Sequence, residues 1–160
     1  MAELTTILEQ NNIPSKRLIH DSVDTGNNLV LTDGVTINFP CDGAARNYKS
    51  GGDLWDSVNS IITDSIDDNE IKVKLKTVLN GSVNTICRID VIVPHPTFGD
   101  IEIDTQEVVM YKNNTDTVFT NFFLLYNGTD SEAKTYGFKV KLTADGGNLT
   151  LKGRSILVTA

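Results

Sequence analysis

Apolar and polar residues alternate with a period of two along most of this chain. Ile71, Val73 and Leu75 alternate with Lys72, Lys74 and Lys76. Cys87, Ile89, Val91 and Val93 alternate with Arg88, Asp90 and Ile92, and Tyr136, Phe138, Val140 and Leu142 with Gly137, Lys139, Lys141 and Thr143. That is the pattern of strands with one buried face. Leu149 and Leu151 continue it, and Ser155-Ile156-Leu157-Val158 ends the chain in a β-branched, apolar run. Ile101 with Ile103 predicts a strand, and Val108-Val109-Met110-Tyr111 a further one. Turn signals punctuate these runs. Asp33-Gly34, between Leu29-Val30-Leu31 and residues 35–39, predicts a hairpin, and Ala144-Asp145-Gly146-Gly147 predicts another at the C-terminal end. Asn80-Gly81 reverses the chain, Pro40 stops a strand, and Pro94-His95-Pro96 is expected to break a ladder. Trp55, Val58, Ile61 and Ile62 fit either a short helix or a bulged strand. About eight to ten strands at a spacing of about 8–12 residues, with no alternating long helices, predict an all-β antiparallel sandwich or barrel.

Two stretches depart from simple alternation. Residues 118–126 are apolar on both faces, with Phe119 and Phe123 opposite Phe122 and Leu124. A sandwich strand of that kind must bury its second face in a partner, a covering loop or a ligand groove. A symmetric oligomer is the common solution, and Phe119, Phe122, Phe123 and Tyr126 are the candidate interface residues. Residues 1–25 carry Leu4, Ile7 and Leu8 at helical spacing, followed by Ile13, in a segment too short to fold alone. They read as an arm that orders against a neighbour, or as a frayed terminus, ahead of a β domain over residues 26–160.

Composition narrows the function. The 160 residues carry a formal net charge of −7. This argues against nucleic acid, which needs a basic face, and against anionic lipid. The N-terminus lacks the basic and apolar regions of a signal peptide. Cys41 and Cys87 are therefore expected as reduced thiols.

Strings with an enzymatic look fail physical tests. Residues 43–50 have the spacing of a phosphate-binding loop, but Tyr48 replaces the glycine that lets the backbone curl around phosphate. Ser131-Glu132-Ala133-Lys134 matches Ser-x-x-Lys without its companion motifs. Val23-Asp24-Thr25-Gly26, with the later Gly153-Arg154, resembles a retroviral-type aspartic protease but lacks the flanking apolar strand. His20 and His95 are read as solvated loop residues. Asp64, Asp67, Asp68 and Glu70 read as a charged loop without the glycine and spacing of a calcium loop. No catalytic residue, metal or cofactor is expected.

The segment Trp55-Asp56-Ser57-Val58-Asn59-Ser60-Ile61, the lysine-alternating strand after it and the closing strands resemble the trimeric jelly rolls of tailed bacteriophages. These look like the tumour necrosis factor fold and serve as capsid decoration proteins, head fibres or fibre tips. The resemblance implies an antiparallel jelly-roll sandwich that packs as a homotrimer through one sheet's aromatic face. It also implies a non-enzymatic cement protein made in the host cytoplasm and bound to the outer capsid surface of the virion. The major capsid protein or another virion protein would be its partner, with Leu4, Ile7, Leu8 and Ile13 tethering the arm. The alternatives are a carbohydrate- or receptor-binding adhesin of a phage fibre and, remotely, a dimeric aspartic protease.

Overall fold

The computed structural model describes residues 16–22, 28–40, 46–49, 55–56, 60–63, 69–128 and 131–159. Strands β1 (Lys16–Ser22), β2 (Leu29–Leu31), β3 (Thr36–Asn38) and β4 (Arg46–Lys49) precede a small ribbon of β5 (Trp55–Asp56) and β6 (Ile61–Ile62). The long strands follow: β7 (Asn69–Gly81), β8 (Ile86–His95), β9 (Gly99–Val109) and β10 (Thr117–Asn127). A helical turn, α1 (Glu132–Tyr136), leads into β11 (Lys139–Asp145) and β12 (Leu149–Thr159). One sheet has the order β10-β7-β12-β1-β4, with β2 also paired to β12, and the other the order β3-β11-β8-β9. All their ladders are antiparallel. The expected jelly-roll sandwich is the fold.

Alternation explains the core. Ile71, Val73, Leu75 and Leu79 of β7 face inward, as do Cys87, Ile89 and Val91 of β8, while Lys72, Lys74 and Lys76 face out. Leu142 of β11 and Leu151, Ile156 and Val158 of β12 close the same cluster. β12 keeps this phase across a bulge at Lys152-Gly153, where a Cβ on Gly153 would meet Val78 Cγ2 at 3.0 Å. Beyond the bulge Arg154 points inward, and its Nε–H donates to the Pro40 carbonyl at 3.2 Å.

Both predicted hairpins are corners between sheets instead. β2 pairs with β12 and β3 with β11, so Asp33-Gly34 carries the chain from one sheet to the other. Ala144-Asp145-Gly146-Gly147 does the same between β11 and β12. The two corners hold each other. The Asp33 carboxylate accepts from Gly146 N–H at 3.0 Å, the Asp33 N–H donates to Asn148 Oδ1 at 2.9 Å, and Gly34 N–H donates to the Ala144 carbonyl at 2.8 Å. Turn chemistry reports that a chain reverses, not which strand it then joins.

Other expectations need correction. Lys16–Ser22, assigned to the arm, is a sheet strand between β12 and β4. Residues 101–111 hold one strand, not two, and the ladder runs through Pro94 to His95. The Ser-x-x-Lys string is a helix cap: Ser131 Oγ accepts from Lys134 N–H at 3.1 Å. Gly137 ends α1 at φ +72°, where a Cβ would meet Ile62 O at 2.6 Å. β9 ends its sheet, and Ile103 is an extra residue there opposite Val91 and Ile92.

Candidate functional site

β10 ends the larger sheet, and its alternation divides the predicted interface set in two. Phe123 is 3% exposed and belongs to the core, packed with Leu125 of the same face. Phe119 is half-buried against the core, with the Tyr111 ring edge-on at 6.2 Å. Phe122 and Tyr126 point outward, 65% and 58% exposed. Val118 and Leu124 join them, so four large apolar side chains line one outer strand face. The inclusion of Phe123 and Phe119 in the candidate face is therefore corrected: both turn toward the protein's own interior.

The neighbouring strand adds charge. By register Leu124 lies opposite Lys72, Phe122 opposite Lys74 and Thr120 opposite Lys76. Lys74 Nζ stands 5.9 Å from the Phe122 ring centroid, a cation–π distance. On the next strand Leu157 is opposite Lys74 and Thr159 opposite Lys72. Phe122, Leu124, Leu157, Lys72, Lys74 and Thr159 line a groove of about 430 Å³ on this face. The candidate set drawn from the sequence left out Leu124, although it was placed on the same face as Phe122, and missed Val118, Leu157 and the lysines. The i, i+2 spacing of Phe122 and Leu124 was available. The cross-strand neighbours follow only from the register.

Such a face offers a sizeable apolar area for burial. Burying a side chain of the size of Phe or Leu contributes about 1.5–3 kcal/mol. The lysines can lay their stems on the apolar surface with their ammonium groups in water. The candidate tether residues Leu4, Ile7, Leu8 and Ile13 lie outside the described residues, as do Asp24, Cys41 and Asp64, Asp67 and Asp68 of the acidic cluster. Glu70 is exposed at the start of β7.

Titration behaviour among the described residues follows from structural partners. Burial pushes the Cys87 thiol up to about 12, with Asp90 adding to the effect. The Asn80 amide, at 2.7 Å, and then the Lys152 ammonium hold the Asp116 carboxyl below the usual range. Hydrogen bonding to Asp90 raises Arg88 further. No group of three or more His, Cys, Asp or Glu gathers to hold a metal among the described residues. His95, expected in solvent, has a side chain only 9% exposed, beside Tyr136 and Glu132.

No family model matches the chain, and no curated protein does. Solved structures do. The Eiger TNF of S. frugiperda superposes with a TM-score of 0.55 at 11% identity, covering 92% of this chain and 93% of its own. The PRD1 vertex protein P5 superposes with a TM-score of 0.52 at 12% identity, covering 91% of this chain and 96% of its own. At these identities the likeness concerns architecture alone: the chain has a tumour necrosis factor-like jelly roll.

Proposed function

We propose that the chain is a non-enzymatic virion structural protein, a homotrimer that decorates the outer capsid surface. The observation that carries the reading is the outer row Val118, Phe122, Leu124 and Tyr126, contiguous with the lysine-edged groove. Large apolar side chains grouped on one sheet face mark an interaction surface. A ring of copies, each setting this face against its neighbour, removes the row from water in a closed assembly. The resemblance read from the sequence supports three-fold closure. Similarity to a vertex protein supports a place on a virion, with the major capsid protein or another virion protein beneath it. Leu4, Ile7, Leu8 and Ile13 are the proposed tether.

Light scattering of the purified protein tests the assembly. The expected mass is about three times 17.5 kDa. Phe122→Asp is expected to fold and run as a monomer, since this ring is outside the protomer's own core. A wild-type protein that stays monomeric at micromolar concentration overturns the reading. Co-sedimentation with undecorated capsids tests the location, and failure to bind any such particle counts against decoration.

A further inference from the structure

The tip between β8 and β9 is closed by a histidine rather than by backbone bonds alone. His95 Nδ1 accepts two backbone hydrogen bonds, from Thr97 N–H and from Phe98 N–H, each at 3.0 Å. Its Nε2 lies 3.3 Å from Glu132 Oε2 of α1. The ring is stacked on Phe98 at 4.5 Å and meets Tyr136 edge-on at 5.0 Å. These contacts fix the protonation pattern. A nitrogen accepting two N–H groups must offer its lone pair, so the single proton of the neutral ring sits on Nε2 and donates to Glu132.

A second proton has only Nδ1 to occupy, where two N–H donors already point. We infer that His95 is a pH-sensitive latch: protonation breaks both tip hydrogen bonds and releases Phe98, while the imidazolium stays drawn to Glu132. Phe98 is 76% exposed and held by this stack, so its presentation to any partner changes with pH. Among the described residues, the titratable groups of α1 are Glu132, Lys134 and Tyr136, and those of β9 are Asp100, Glu102, Asp104 and Glu107. Asp100 is paired with Lys141 of β11. Glu132 favours the imidazolium and the two tip amides oppose it. Loss of the amide bonds is what opens the tip. The sign follows: the tip is closed with the ring neutral and opens when the ring takes up its second proton.

Hydrogen exchange followed by NMR on the full chain tests this, with rates corrected for intrinsic pH dependence. Protection of the Thr97 and Phe98 amides is expected to fall about tenfold or more between about pH 7.5 and about pH 5. In His95→Asn the amide oxygen takes the place of Nδ1 and does not titrate, so protection is expected to persist at the lower pH. Unchanged wild-type protection, or the same loss in His95→Asn, overturns the latch. Should that variant not fold, the nitrogen spectrum of the wild-type imidazole at neutral pH still decides. An Nε2–H tautomer supports the latch and an Nδ1–H tautomer refutes it.

Discussion

The side-chain amide of Gln106 donates to the backbone carbonyl of Phe122 at 2.7 Å, tying β9 to β10 where the two sheets end. A second link backs the first, since Asn121 Nδ2 donates to Gln106 Oε1 at 2.9 Å. The backbone is thus clamped at the residue whose ring stands on the exposed apolar face. Gln106→Ala is expected to cost about 1 kcal/mol in urea unfolding. It should also weaken self-association in sedimentation, because the ring beside the clamp loses its fixed position.

Phe122 and Phe123 are neighbours with opposite roles. Phe123→Ala empties core volume and is expected to destabilise the protomer by about 3–5 kcal/mol. Phe122→Ala is expected to stay within about 0.5 kcal/mol of wild type for the dissociated protomer. If the proposed trimer packs through this face, it should nonetheless raise the concentration at which that assembly forms. Unfolding at high dilution, set against concentration-dependent light scattering, separates the two effects.

Cys87 is predicted to be inert while the protein is folded. Its thiol is buried, and that burial, with Asp90 nearby, pushes it from the ordinary thiol range up to about 12. A native-state range raised above the unfolded one means that the contribution to stability is complete below about pH 9. That contribution is lost as pH rises from there toward about 12. A thiol reagent at pH 8 should leave Cys87 unmodified in buffer and modify it in denaturant, read by peptide mass.

Truncation should show a sharp threshold. Removal of residues 1–15 leaves β1 in place and is expected to leave the melting temperature near that of wild type while weakening attachment to capsids. Removal through Ser22 strips β12 of its pairing with β1 along residues 17–22 and is expected to lower the melting temperature by roughly 10 °C or more. A thermal melt of both proteins, with co-sedimentation of the shorter truncation, checks this.

The inward residues of β7, β8, β11 and β12 were readable from alternation, because burial on one face imposes a period of two whichever sheet a strand joins. Asp90, Ile92 and Thr143, on the opposite side of β8 and β11, are buried as well. Pairing was not readable. Asp33-Gly34 looks the same whether it joins partners or turns a corner, and what decides is contact with Gly146 and Asn148, more than a hundred residues away. β1 was missed since Lys16-Arg17-Leu18-Ile19-His20-Asp21-Ser22 has no alternation. The aromatic content of β10 was visible, but which of its rings face outward required the strand's phase relative to the core. His95 was read as solvated because the environment that buries it is built from α1 and the tip backbone together.

The extra residue Ile103 in β9 has a consequence for life at high density. β9 is an 11-residue strand at the end of its sheet, and an uninterrupted edge of that length invites another chain to add its own strand. The bulge breaks the repeat of free backbone groups, and Glu102, Asp104 and Glu107 place like charges along the strand against a second copy of it. Crowded copies are thereby discouraged from adding strand to strand along β9 into open-ended fibres.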